Sequence, residues 1–246
     1  MAQRRGSTEK SALPIEDNED NEDNEDNEDD EANERGVTIE SLTGDAAHHT
    51  PSRYRDRVVE RYREYYTELD LPVDTVRTAV DVYVTLQRNR RGGDGEDRSS
   101  SGGGVLRVGY DVVIAATVTI GTRVQNTPRT LDEISGVHGV DRGEMMRANH
   151  RIQDACGVYT TPIPPGEYLD RIRSEYTLPE RVTVTATRAL DAIRGDGSNP
   201  AVAAAGAVWV AVKQHGYDGV VQRELAAMIG CSGAAIQDAV QRIENA

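Results

Sequence analysis

Residues 128–152 of this chain are replayed in degenerate form at 219–243, under one constant register shift. Glu133 falls on Glu224, Ile134 on Leu225, Gly139 on Gly230, Met145 on Ile236 and Ile152 on Ile243. The match is one of pattern more than identity. Self-similarity at a fixed period signals stacked copies of one supersecondary unit. It predicts two copies of an all-helical module rather than one large enzyme domain.

Local periodicity agrees. Val58, Tyr62, Tyr65 and Leu69 step by 4, 3 and 4 along one helix face, Pro72 punctuates, and Val76, Val80 and Tyr83 continue in a second helix. Positions 89–104 are rich in Gly, Ser and Asp and read as a flexible loop. Gly-Lys-[Ser/Thr] is missing there and no strand precedes it, so a phosphate-binding loop is not supported. Positions 112–120 are β-branched and could, alone, be a buried strand. Their counterpart begins Asn199-Pro200 and runs through alanines, a helix start with its cap and N1 proline. The repeat therefore predicts buried central helices at both places. Thr130-x-x-Glu133 and Asp141-x-x-Glu144 each put a capping oxygen three residues before a glutamate. Met145, Ala148, Ile152 and Ala155 follow as an apolar stripe. In the second copy Leu225 and Met228 face inward, Gly230 turns, Ser232 caps, and Ile236, Val240 and Ile243 form the stripe. Short helix, Gly turn and longer helix make a helix-turn-helix. A Pro-rich linker at 158–166 precedes Tyr168, Ile172 and Tyr176 on one helix and Val182, Ala186, Ala189 and Ile193 on the next. The expected domains are a disordered acidic tail at 1–50, one five-helix repeat at 51–157, the linker, and a second repeat at 167–246.

Charge supports that division. Residues 1–50 hold 16 acidic and 4 basic side chains, while the remaining 196 hold 26 and 24. Four Glu-Asp-Asn triplets at 16–27 lack apolar residues to offset chain entropy. An EF-hand loop would need Gly at its sixth position, and none occurs before Gly36 except Gly6. Arginine nearly replaces lysine, Lys10 and Lys213 being the two lysines, and Phe is absent. That bias looks halophilic. Cys156 and Cys231 are isolated, which leaves a disulfide framework and a cysteine zinc site unsupported. No secretory segment or bilayer-length apolar run is legible, and a cytoplasmic location with no membrane contact is expected. The histidines show no ligand spacing and no nucleophile–base arrangement is recognisable, so no catalysis, cofactor or metal is expected.

Two five-helix modules, each ending in a helix-turn-helix, resemble the paired cyclin-like repeats of archaeal transcription factor B. Thr127-Pro-Arg-Thr-Leu-Asp-Glu-Ile134 is similar to the family's first-repeat turn and fourth helix. Tyr168-Leu-Asp-Arg-Ile172 with Leu178-Pro179 is similar to the start of its second repeat, and 199–211 to the second central helix. The resemblance covers roughly 51–246 and implies TATA-binding protein and promoter DNA as partners. RNA polymerase is a third, with docking weakened because the paired cysteine or histidine ligands of the family's zinc ribbon are not found here. A modulator that occupies promoters is then expected rather than a full initiator.

On that reading Arg129, Arg142, Arg147 and Arg151 are phosphate contacts around the first helix-turn-helix, with Arg223 and Arg242 as equivalents in the second. Gln222 and Gln237 are the side chains able to read base edges, and Ser232 lies beside them. The acidic tail is expected to compete with DNA for this basic face. Two other classes stay open: a protein-interaction scaffold that kept the repeats and lost the DNA face, and a helix-turn-helix regulator with an N-terminal ligand or dimer module. The last helix favours the scaffold, since Arg242 is its sole basic residue against Asp238 and Glu244.

Overall fold

The structure, a computed structural model, describes residues 38–92, 108–195 and 197–246. Among the described residues there are eleven α-helices and no strand. A leading helix, α1 (Ile39–His48), precedes a first set of five: α2 (Arg55–Glu68), α3 (Val73–Gly92), α4 (Tyr110–Val124), α5 (Leu131–Val137) and α6 (Arg142–Cys156). The second set is α7 (Pro165–Glu175), α8 (Glu180–Ala192), α9 (Pro200–His215), α10 (Gln222–Ile229) and α11 (Gly233–Glu244). Each set closes its own apolar core, one from Leu42 to Ile152 and the other from Ile163 to Ile236. The fold is all-α, with tandem five-helix repeats.

The turn after the first helix of each repeat matches bond by bond. After α2 the chain turns through Asp70 at φ 44°, Leu71 N–H donates to Tyr66 O at 3.1 Å, and Pro72 opens the next helix. After α7 it turns through Thr177 at φ 46°, Leu178 N–H donates to Arg173 O at 3.0 Å, and Pro179 opens the next helix. Neither Asp70 nor Thr177 is a glycine, and both hold a left-handed conformation that ordinary residues seldom adopt. The same strained turn at the same place argues for one ancestral module.

Each core is strung on a central helix. Every residue from Val112 to Thr122 of α4 is buried, as are Ala201, Val208 and most of the positions between them in α9. A helix that is apolar all round belongs inside a bundle. The threonines of α4 are tolerated there because they bond within the helix or to a neighbour. Thr119 donates to Ala115 O at 2.8 Å, and Thr117 Oγ1 lies 2.8 Å from Tyr62 Oη. Burial thus overrides the β-preference of 112–120. At Gly121 an added Cβ would stand 2.5 Å from Thr75 O, so α4 and α3 cross at backbone distance. Gly206 does the same for α9 against Ala239 of α11, again at 2.5 Å.

Three boundaries differ from the sequence expectation. Residues 38–50, assigned to the acidic tail, form α1 and a buried turn at Thr50. Leu42, Thr43 and Ala46 are buried on α2 and α3, and Thr50 Oγ1 lies 2.8 Å from Tyr83 Oη. Two apolar side chains one turn apart were too faint a period to stand out from the charge around them. Residues 89–92, placed in the Gly-rich loop, are the last turn of α3, where Asn89 donates to Ala155 O at 3.0 Å. Pro165 and Gly166, placed in the linker, start α7, because proline at N1 begins a helix as readily as it ends one. The rest of the expected tail, 1–37, and of the loop, 93–104, lies outside the described residues.

Candidate nucleic-acid interface

Both expected helix-turn-helix units form, with the same turn geometry. In the first, Thr130 and Glu133 close a capping box: Glu133 N–H donates to Thr130 Oγ1 at 3.2 Å, and Thr130 N–H donates to Glu133 Oε2 at 2.7 Å. Gly139 turns at φ 62°, and Asp141 caps α6 by accepting from Glu144 N–H at 2.7 Å. In the second, Val221 supplies no side-chain cap to α10, Gly230 turns at φ 65°, and Ser232 Oγ accepts from Ala235 N–H at 3.1 Å. Both turns use glycine where φ is positive, since a side chain would be strained there.

The structure sorts the expected contact residues into three groups. Arg129 is turned onto the protein itself. It is half-buried, donates from Nε to Leu69 O at 2.7 Å and from Nη2 to Asp70 O at 3.0 Å, and so caps the carbonyl end of α2. Burial, and after it the neighbouring Arg171, lower its pKa. Arg142 donates to Asp132 Oδ1 at 2.9 Å with both side chains about half exposed (52% and 46%). A pair so exposed contributes little and can exchange its carboxylate for a phosphate. Arg147 and Arg151 stand one turn apart on the exposed face of α6.

In the second unit Gln222, Arg223 and Gln237 meet around one open hollow of about 520 Å³ between α10 and α11, floored by Ala226, Ala227, Cys231 and Gly233. Gln222 is positioned by donating from Nε2 to Gly233 O at 3.1 Å, which leaves its carbonyl oxygen free to accept. Ser232 stands next to the hollow but spends its acceptor on the helix cap. Arg242 lies three turns away, exposed near the end of α11. The floor of small residues lets another surface come close, and the rim carries one cation and two amides.

A junction between the repeats was not foreseen from the sequence. Arg171 of α7 donates to Glu133 Oε1 at 2.6 Å, to Glu133 Oε2 at 3.0 Å and to Pro128 O at 2.8 Å. Tyr168 Oη donates to Arg129 O at 3.2 Å. Burial works against the Glu133 carboxylate, but the bidentate bond from Arg171 outweighs it and the carboxyl titrates below its ordinary range. One sequence signal existed: the turn equivalence sets Arg171 on Glu64 and Tyr168 on Arg61, so both positions change character between the repeats. Among the described residues no group of three or more His, Cys, Asp or Glu could hold a metal, and no helix is long and apolar enough to cross a membrane.

No family model matches the chain. Transcription initiation factor IIB 1 of Halobacterium salinarum is 30% identical over 136 residues, which is 54% of this chain and 47% of that protein. Transcription initiation factor IIB of Methanococcus aeolicus is 34% identical over 131 residues, 51% of this chain and 39% of that one. Transcription initiation factor IIB 4 of Halobacterium salinarum is 29% identical over 138 residues, covering 54% and 42%. The chain thus matches less than half the length of these relatives, which are named as initiation factors and not as enzymes. A viral cyclin from herpesvirus saimiri aligns over 85% of both chains at 12% identity, with a TM-score of 0.31 that is too low to bear on the fold.

Proposed function

We propose, from the premise that half of this chain is a divergent relative of archaeal transcription initiation factor IIB, that it binds TATA-binding protein and the promoter DNA beside it through two cyclin-like repeats. The observation that carries the proposal is the hollow of the second helix-turn-helix, where Gln222, Arg223 and Gln237 converge. Arginine neutralises phosphate and glutamine pairs with the adenine edge, a division between positioning and reading that helix-turn-helix proteins share. Arg147 and Arg151 supply a second phosphate-facing strip on the first repeat, with Arg142 beside them. The factor would act in the cytoplasm without cofactor or catalysis.

Its role is that of a modulator that occupies promoters. The two cysteines, Cys156 and Cys231, are half-buried in different repeats, so neither serves a zinc ribbon for polymerase docking. A gel shift with TATA-binding protein and promoter DNA in high potassium chloride tests the reading. A ternary supershift is expected, and adding polymerase should move it no further. Partner binding without DNA would support the scaffold reading instead. That alternative is favoured by the internal use of Arg129 and by the single basic residue of α11.

A further inference from the structure

The two repeats are joined by polar contacts and not by a shared core. Each closes its own apolar cluster, and among the described residues no helix of the first set packs broadly on a helix of the second. Modules without a large apolar interface are expected to move relative to one another. The chain that connects them is tied down on both sides. Thr160 N–H donates to Gln153 Oε1 of α6 at 3.1 Å, while Ile163 is buried in the second core. Between these ties lie Thr161 and Pro162, both exposed, which makes a two-residue hinge.

Rotation about that hinge is opposed at one place. Arg171 of α7 donates to both oxygens of Glu133 and to Pro128 O, with the Arg171 and Glu133 side chains each 20% exposed. Glu133 closes the capping box of α5, so the bond falls on the opening turn of the first helix-turn-helix. The second helix-turn-helix touches the same turn. A Cβ added at Gly230 would stand 3.2 Å from Asp132 Cβ and 3.2 Å from Thr130 Oγ1. We infer that Arg171 is a positioning residue: by holding Glu133 it keeps Gly230 seated on Thr130 and Asp132 and so fixes the angle between the two helix-turn-helix units. A bidentate arginine–carboxylate pair sets direction as well as distance, which one bond does not. Two reading units held at one angle accept two DNA segments at one separation and rotational phase. This spacing rule rests on the proposed promoter binding; the angle itself does not.

The test has two arms. In the first, spin labels are attached at Arg63→Cys of α2 and Arg188→Cys of α8, both exposed positions, in the full chain with Cys156 and Cys231 replaced by alanine. Pulsed electron paramagnetic resonance should give one narrow distance distribution. Arg171→Gln should broaden it, and Arg173→Gln, the same charge change at a more exposed neighbour, should not. Arg171→Lys keeps the charge without the two-point grip and should fall between them. In the second arm one base pair is inserted between the promoter segments that the two repeats protect, which turns the far segment by about 35°. The unaltered chain should lose on the order of 100-fold in ternary affinity, as a linked pair does when its geometry no longer fits. Arg171→Gln should bind the natural spacing more weakly and lose most of the insertion penalty, whereas a variant that was merely unstable would lower both affinities by one factor. If Arg171→Gln has no cooperative thermal transition, Tyr168→Phe, which removes only the bond to Arg129 O, is read in its place. The inference is overturned by a broad distribution in the unaltered chain, by an unchanged one in the variant read, or by an insertion penalty that the variant keeps. Failure to form any ternary complex would overturn the promoter reading and the spacing rule with it, while the distances still decide the angle.

Discussion

Glu133 does two jobs with one carboxylate. Its Oε2 accepts from Thr130 N–H to finish the capping box of α5, and both oxygens accept from Arg171 of the other repeat. Hydrogen bonds to charged groups contribute about 1.5–3 kcal/mol, so Glu133→Gln should cost about 2 kcal/mol in urea unfolding. The pH sign follows from the lowered pKa: the contribution is present above the ordinary value of 4.5 and is lost as pH falls through the folded value. The glutamine variant should flatten that acid limb. His138, the C-cap of α5, acts at higher pH. Its side chain is 5% exposed, its Nδ1 accepts from Arg61 Nη1 at 3.2 Å, and its ring stands edge-on to Tyr65 at 4.8 Å. Burial first and Arg61 second depress its pKa below 6.5. The folded state therefore keeps it neutral, its contribution is full above pH 6.5, and it fades below that as the unfolded chain takes up the proton. His138→Gln should remove this slope from a plot of unfolding free energy against pH.

Among the elements, the central helices carry the tightest constraint. An alanine at Gly206 would drive its Cβ to 2.5 Å from Ala239 Cβ and push α11 off α9. Overpacking of this kind costs about 1–3 kcal/mol, and Gly206→Ala should lower the urea midpoint accordingly. Gly44 gives the opposite case. It is exposed inside α1 with nothing within 4 Å of an added Cβ, so Gly44→Ala should stabilise by about 0.5–1 kcal/mol. These elements also mark what the sequence can and cannot disclose. The echo at 128–152 and 219–243 carried register, turns and caps, because glycine at positive φ and capping side chains are local chemistry. The same echo made 112–120 a helix although its β-branched composition points to a strand. By contrast α1 has a local cap in Thr38, which accepts from Ser41 N–H, but its burial on α2 and α3 is not announced by the residues around it. The Glu133–Arg171 junction was hidden for a related reason: two charged residues 38 positions apart are read as solvated until the fold joins them.

At the scale of the molecule, α1 makes residues 38–50 part of the first repeat. Extending a truncation from residue 36 to residue 50 should therefore lower the thermal midpoint of the remainder and expose Tyr83, which calorimetry and tyrosine fluorescence would register. The proposed DNA binding is the other whole-molecule property, and it would be a matter of close contact. At about 1 M salt the screening length is ~3 Å, so at that ionic strength only side chains touching the duplex would count. The proposed contact residues can be picked by type from the sequence, but their grouping cannot. Arg129 looks equal to Arg142 in the sequence, but it donates to the carbonyl oxygens of Leu69 and Asp70, while Gln222 and Gln237, fifteen positions apart, face one hollow. That grouping separates the expected effects. Arg223→Ala should weaken the ternary complex on every promoter alike and reduce the salt slope by about one counterion. Gln237→Ala should leave the slope unchanged and relax the preference at one base pair by about 1–3 kcal/mol. Arg129→Ala should change neither, and should instead lower stability through the uncapped end of α2. Fluorescence anisotropy on a set of single-base promoter variants, across potassium chloride concentrations, distinguishes the three. An Arg129→Ala loss of affinity at unchanged stability would move the DNA face to the junction between the repeats.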